Sequence, residues 1–212
     1  IVTYHGGGAD NFLRVHGKWV RKILKKADAI TVMSEFLNSV FSKYSINTVI
    51  LPNLFEMEPI PVKNNFSVPK LISVRSHEKI YNIKDIIDAF IIIKRKYLLS
   101  KLTILGKGTL TDELKQYCSI KNIEGVEFLT SVHSEQVPNI LQQSNIFISA
   151  SSFDNQPMSV LEAFASGIPV IATNVGGIPF MIKDKETGLL VDVHNPNQIT
   201  KCVEWIMENP DQ

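Results

Sequence analysis

The chain has 212 residues, 44% of them hydrophobic and 20% charged, a composition suited to a soluble globular protein with a sizeable core. Its 22 basic and 21 acidic residues leave a formal charge of +1, so the strong basic excess of a nucleic-acid binder is absent. The longest apolar run, residues 89–93, falls far short of the roughly 20 residues that a membrane span needs. Cys118 and Cys202 have neither metal-ligand spacing nor a C-x-x-C arrangement and read as buried, reduced thiols of a cytoplasmic protein. No signal peptide is visible, and because Ile1 already stands inside a strand-like run, the beginning of the protein is expected to be missing.

Taken in chain order, short β-rich runs alternate with amphipathic segments. Residues 1–4 predict a strand, 12–26 a helix, 29–33 a strand, 35–44 a helix and 48–52 a strand. Residues 51–69 carry Pro52, Pro59, Pro61 and Pro69 with little periodicity and read as a linker. Strands are then expected at 71–75, 102–105, 126–129, 146–150, 169–173 and 188–191, and helices at 83–96, 112–119, 135–143, 157–166 and 196–207. In the helix at 83–96, Ile83, Ile86, Ile87 and Phe90 form one stripe at i, i+3, i+4 and i+7. This alternation predicts an α/β fold with parallel sheets and helices on both faces. The 52 residues before the boundary are too few for an independent unit, and the rest is a normal domain length. The expected division is therefore 1–52, the end of a truncated domain, and 53–212, a nearly complete one.

The stretch best suited to chemistry runs from Ser149 to Gly177: strand, polar loop, helix opening at Pro157, Gly167 stop, strand. The loop at Asp154 to Gln156 would lie at the carboxyl end of a parallel strand, where open α/β sheets bind ligands. The amides of Met158, Ser159 and Val160 would lie free at a helix N-terminus, a place suited to phosphate. Asp154 and Glu162, aimed at one cleft, could hydrogen-bond two sets of sugar hydroxyls. On spacing alone the alternative stands beside this, with Asp154 helping to cap the helix and Glu162 a solvated helix residue.

This segment resembles the signature of family 4 of the retaining GT-B glycosyltransferases, which reads Glu, seven residues, Glu, then Ala-x-Ala-x-Gly-x-Pro-Val and a Gly-Gly turn. Glu162-Ala-Phe-Ala-Ser-Gly-Ile-Pro-Val and Gly176-Gly177 match it, and Asp154 replaces the first Glu in the Asp-Asn-x-Pro-x-Ser-x-Leu-Glu form of one branch. The resemblance implies two Rossmann-like domains facing a cleft, with Asp154 toward the donor sugar and Glu162 on the ribose. Donor contacts would run from Asn155, Gln156 and Pro157 through Met158, Ser159 and Val160. Leu71-Ile-Ser-Val-Arg resembles the first strand and loop of the donor domain, where the family sets an Arg and a Lys on the diphosphate. Arg75 matches; the usual Lys-Gly pair is absent, and Lys79 or Lys84 would stand in with shifted spacing. Gly106 and Gly108 resemble the family's Gly-x-Gly turn. Thr130 stands where the family has Gly in the loop that cradles the base. Thr3-Tyr-His-Gly-Gly-Gly resembles a strand end of the acceptor domain, placing His5 and Gly6 near the donor sugar.

Other positions carry plainer readings. Ser34 reads as a helix N-cap. His16, His77, His133 and His194 have no metal spacing and read as surface or loop residues. The basic run Lys18 to Lys26, with Trp19, reads as a solvated helix face, with contact to anionic lipid as the alternative. The resemblance implies transfer of a hexosyl group from a nucleoside-diphosphate sugar to a saccharide or lipid-linked acceptor in polysaccharide or cell-envelope biosynthesis. Anomeric configuration would be retained, with no cofactor and no metal, in the cytoplasm or peripherally at the inner face of the membrane. A sugar-nucleotide epimerase would share the cleft. A non-catalytic nucleotide-sugar-binding or interaction module is the other rival, since Asp154 replaces Glu and the Lys-Gly pair is missing. The family would continue past Gln212 into a helix returning to the first domain, and the 212-residue piece is expected to bind nucleotide weakly and transfer nothing.

Overall fold

A computed structural model describes residues 1–6, 8–53 and 66–210, so Gly7 and most of the expected linker lie outside the described residues. The first part of the chain folds as β1 (Val2–Tyr4), α1 (Ala9–Leu24), β2 (Ile30–Val32), α2 (Glu35–Lys43) and β3 (Val49–Ile50). These strands pair in parallel in the order β1-β2-β3. Parallel neighbours need a crossover, which α1 and α2 supply. Leu13 and Val20 of α1 and Leu37, Val40 and Phe41 of α2 bury against Val32. Ser34 caps α2 as its sequence suggests: its backbone is extended and its Oγ accepts from the Leu37 amide at 3.2 Å. The outer face of α1 is exposed to solvent, and it is apolar as well as basic. Beside Arg14, Lys18 and Lys22 it leaves Phe12, Val15, Trp19 and Ile23 exposed.

The larger sheet contains β4 (Lys70–Val74), β5 (Lys101–Leu105), β6 (Val126–Leu129), β7 (Ile146–Ser149), β8 (Val170–Thr173) and β9 (Leu189–Val191). Its order is β6-β5-β4-β7-β8-β9, every pair parallel. Alternation along the strands sends Leu71, Ile104, Ile146, Ile148 and Ile171 to one face. There they meet α3 (Ile83–Lys96), α4 (Thr111–Ile120) and α7 (Pro196–Glu208). Ile72, Phe147, Val170 and Ala172 point the other way, toward α5 (Val137–Leu141) and α6 (Met158–Ala165). Each large apolar side chain so buried contributes about 1.5–3 kcal/mol. Cys118 and Cys202 are free thiols, and burial pushes each up to about 11, so neither is a thiolate at neutral pH.

Three local features depart from the sequence reading. Residues 135–143 do not form one helix: a 3-10 turn at Ser134–Gln136 precedes the short α5, which begins beside Pro138 in its first turn. Two further 3-10 turns, Lys79–Tyr81 and Ile178–Phe180, had no sequence signal. His77 is not at the surface but fully buried at 0% exposure. Among the described residues no helix is long and apolar enough to cross a membrane.

The strand order decides where a ligand can sit. From β4 the chain builds outward through β5 and β6, then returns to the other side of β4 with β7 and continues through β8 and β9. The loops leaving β4 and β7 therefore diverge above the sheet, opening a crevice at their carboxyl ends.

Candidate active site

Arg75 follows β4 and Asp154 follows β7, so the two side chains meet across that crevice although 79 residues separate them. The Arg75 guanidinium donates to and forms an ion pair with the Asp154 carboxylate, each side chain 13% exposed. Asp154 also accepts from Ser151 Oγ at 3.2 Å and from the Asn155 amide at 3.0 Å. The carboxylate thus turns on Arg75 and its own loop. It does not cap α6, which has no side-chain cap at Pro157. Glu162 sits half-buried on the next turn of α6. Burial raises its carboxyl above the usual carboxylate value, and the nearby Arg75 charge opposes that rise in part.

A cleft of about 710 Å³ opens over this group. Arg75, Gly106, Asp154 and the segment from Asn155 to Ser159 line it together with Glu162, and His5 and Met33 close it from the small sheet. Gly6, Thr130 and Val160 do not line it. The Val160 amide is not free as expected. It donates to the Pro157 carbonyl at 3.2 Å because the first turn of α6 tightens, which leaves Met158 and Ser159 as the opening amides. Lys79 and Lys84 face a separate cavity between α3 and α4. The lysine in the cleft wall is Lys107, from the Gly-x-Gly turn, which the sequence reading passed over in favour of the glycines.

The loop from Phe153 to Gln156 is fixed from two sides. Asn155 Oδ1 accepts from Ser34 Oγ across the cleft, Gln156 Oε1 accepts from the Asn53 amide at 2.9 Å, and Phe36 meets Phe153 edge-on at 5.7 Å. Behind the loop, the Gly177 amide donates to the Asp154 carbonyl at 2.9 Å. A Cβ on Gly176 would come within 2.0 Å of the Asp154 carbonyl oxygen, and one on Gly177 within 1.9 Å of that of Asn155. The Gly-Gly pair is therefore the only width of chain that fits against the back of the loop. Gly106, at φ 138°, approaches the Arg75 carbonyl as closely, so the Gly-x-Gly turn backs Arg75 in the same way.

His77 locks these turns to each other. Its amide donates to the Lys107 carbonyl at 3.2 Å, its carbonyl accepts from the Leu110 amide, and Nδ1 pairs with Thr111 Oγ1 at 2.9 Å, while Nε2 is buried without a partner. Burial and the Lys115 charge lower its pKa, with Glu78 opposing, so the fold holds the imidazole neutral. The unfolded chain takes up a proton near pH 6.5 and the folded one only at lower pH. The contribution of His77 is therefore complete above about pH 6.5 and is lost as pH falls below it. The unfolding temperature is expected to drop between pH 7 and 5, with a shallower drop in His77→Gln; equal slopes in a thermal-unfolding series would remove His77 as the cause.

The sequence profile of the glycosyl transferases group 1 family matches residues 57–212. The chain belongs to that family. An uncharacterized glycosyltransferase of Haemophilus influenzae is 25% identical over 176 residues, covering 82% of this chain and 47% of its own length. The poly(ribitol-phosphate) alpha-N-acetylglucosaminyltransferase of Staphylococcus aureus is 24% identical over 187 residues, covering 77% of this chain and 37% of that protein. The chain thus spans less than half the length of these curated relatives. The fold is the GT-B fold: HepE of Anabaena, crystallised with UDP and glucose, superposes with a TM-score of 0.79 at 16% identity, over 98% of this chain and 62% of that one.

Proposed function

We propose that the chain carries the donor site of a retaining hexosyltransferase that moves a sugar from a nucleoside diphosphate to a saccharide or lipid-linked acceptor. The observation that carries this reading is the meeting of Arg75, Asp154 and Glu162 in one cleft at the switch point of the sheet, beside the N-terminus of α6. A departing nucleoside diphosphate gains negative charge, which Arg75 and the opening amides of Met158 and Ser159 are placed to stabilise. Glu162 is the hydrogen-bond acceptor for the ribose hydroxyls, and its partial burial strengthens each such bond. Asp154 holds Arg75 and keeps lone pairs for the donor sugar. His5 reaches the same space from the acceptor side. With no carboxylate assigned as a nucleophile, the acceptor enters on the face that the diphosphate leaves, and a phosphate oxygen takes its proton. HepE, whose structure holds UDP and glucose in this fold, supports a uridine nucleotide as the donor class.

A titration of the chain with UDP, GDP and ADP tests this reading. One diphosphate should stabilise the protein selectively, and Glu162→Ala should weaken its binding by roughly ten- to a hundredfold, the range of a hydrogen bond to a charged group. No stabilisation by any of the three would sink the donor-site reading. A second reading, a binding module without turnover, draws on the engagement of Asp154 by Arg75. Selective nucleotide binding with no hydrolysis or transfer of the matching sugar nucleotide, by a protein supplied with both domains, would favour it.

A further inference from the structure

The second group that handles Arg75 is an aromatic ring rather than a lysine. Lys79 faces the cavity of about 570 Å³ between α3 and α4, on the far side of its own 3-10 turn. Tyr81, the last residue of that turn, lines the donor cleft and sets its ring 5.0 Å from the Arg75 guanidinium carbon. We propose that Tyr81 is the positioning residue for Arg75, holding the guanidinium between its ring and the Asp154 carboxylate so that the remaining N–H groups face the diphosphate of the donor.

Three features make this a built arrangement. The Tyr81 backbone amide donates a hydrogen bond to the Glu78 carbonyl at 2.9 Å. The next residue, Asn82, takes the left-handed conformation (φ 46°, ψ 43°) that the glycine of a Lys-Gly pair would adopt freely. Its side-chain amide donates to the Ala150 carbonyl at 2.9 Å and to Ser152 Oγ at 2.7 Å, and the Ser152 amide returns a bond to the Ile80 carbonyl at 2.7 Å. Tyr81 and Asp154, the two sides of the clamp, thus hang from one loop, residues 150–154, and cannot drift apart independently. Arg75 Nε is buried without a protein partner, so the guanidinium meets the cleft through its terminal nitrogens. A lysine in place of Tyr81 would repel the guanidinium, whereas a ring face attracts it and adds no charge to compete with Asp154.

The inference rests on the donor-site reading, and the experiment separates the two. The chain and its Tyr81→Phe and Tyr81→Leu variants are titrated by NMR with the nucleoside diphosphate that the wild type selects from UDP, GDP and ADP, and with the parent nucleoside. Tyr81→Leu should lose roughly three- to thirtyfold in diphosphate affinity, the range of a cation–π contact from exposed to desolvated. Tyr81→Phe should stay within about twofold, since it keeps the ring, and nucleoside affinity should be unchanged in both. Wild-type diphosphate affinity in Tyr81→Leu would overturn the assignment. Equal losses for diphosphate and nucleoside would overturn it too, by showing a general structural role. A wild-type chain that selects no diphosphate would instead remove the donor site itself, and the role of Tyr81 with it.

Discussion

Gly177→Ala is expected to destabilise the protein by about 3 kcal/mol, a fall of roughly 6–12 °C in unfolding temperature for a chain of this size. The cause is not backbone strain, since Gly177 has φ −88° and any residue can adopt that. A methyl group there would stand 1.9 Å from the Asn155 carbonyl oxygen and 2.8 Å from its carbon. Those are main-chain atoms, and the loop that owns them is held by Ser34 and Asn53 in front and by the Gly177 amide behind. Overpacking is tolerated where a flexible side chain can yield, and here none can. Gly8→Ala is the matched control, because a Cβ at Gly8 meets nothing within 4 Å. Its unfolding temperature should stay within about 2 °C of wild type. Thermal unfolding of the two variants decides the matter: a Gly177→Ala protein as stable as Gly8→Ala would mean that the Gly-Gly turn does not buttress the loop. The loss should also reach function, because the displaced backbone carries Asp154 and opens α6.

The glycines show what the sequence could and could not disclose. Their presence was legible in the Gly-Gly pair, but the reason for it needed the fold, because Gly177 meets Asn155 only once the loops after β7 and β8 stand side by side. The strands and helices were legible because their periodicity is local: Leu71 and Ile72 bury on opposite faces, and Ile83 to Lys96 keeps one apolar stripe against the sheet. The residues of the cleft wall were named largely through resemblance, whereas their partners were not. Arg75 and Asp154 lie 79 residues apart, and Ser34 and Asn155 lie 121 apart, so no spacing rule links them. The sequence offered Lys79 or Lys84, and both line the other cavity, whereas a 3-10 turn three residues long leaves Tyr81 in the cleft wall. A turn so short has no period to read. His77 does lie in a loop, but its burial was not legible, because it comes from backbone bonds to the Gly-x-Gly turn some thirty residues away.

Asp154→Ala is expected to lower stability by about 3 kcal/mol, because it leaves the Arg75 charge partly buried and unpaired. Both side chains are 13% exposed, so solvent screens the orphaned guanidinium only in part, and the expected value sits at the low end for a broken buried pair. The same loss would follow from removing any well-packed carboxylate, so the single variant does not isolate the ion pair. The double variant does. Arg75→Met with Asp154→Ala takes away both charges, and replacing a buried pair by apolar groups is often close to neutral. Unfolding of the wild type, both single variants and the double should give a coupling of about 2 kcal/mol, with the double more stable than Asp154→Ala alone. Additive losses would show that Asp154 and Arg75 contribute through separate contacts, Asp154 through Ser151 and the Asn155 amide and Arg75 through Tyr81. Strong coupling bears on the chemistry as well. On the proposed donor-site reading, a guanidinium that already has a carboxylate partner would be oriented before the donor arrives, and the diphosphate would meet fixed N–H groups without the cost of ordering a free arginine.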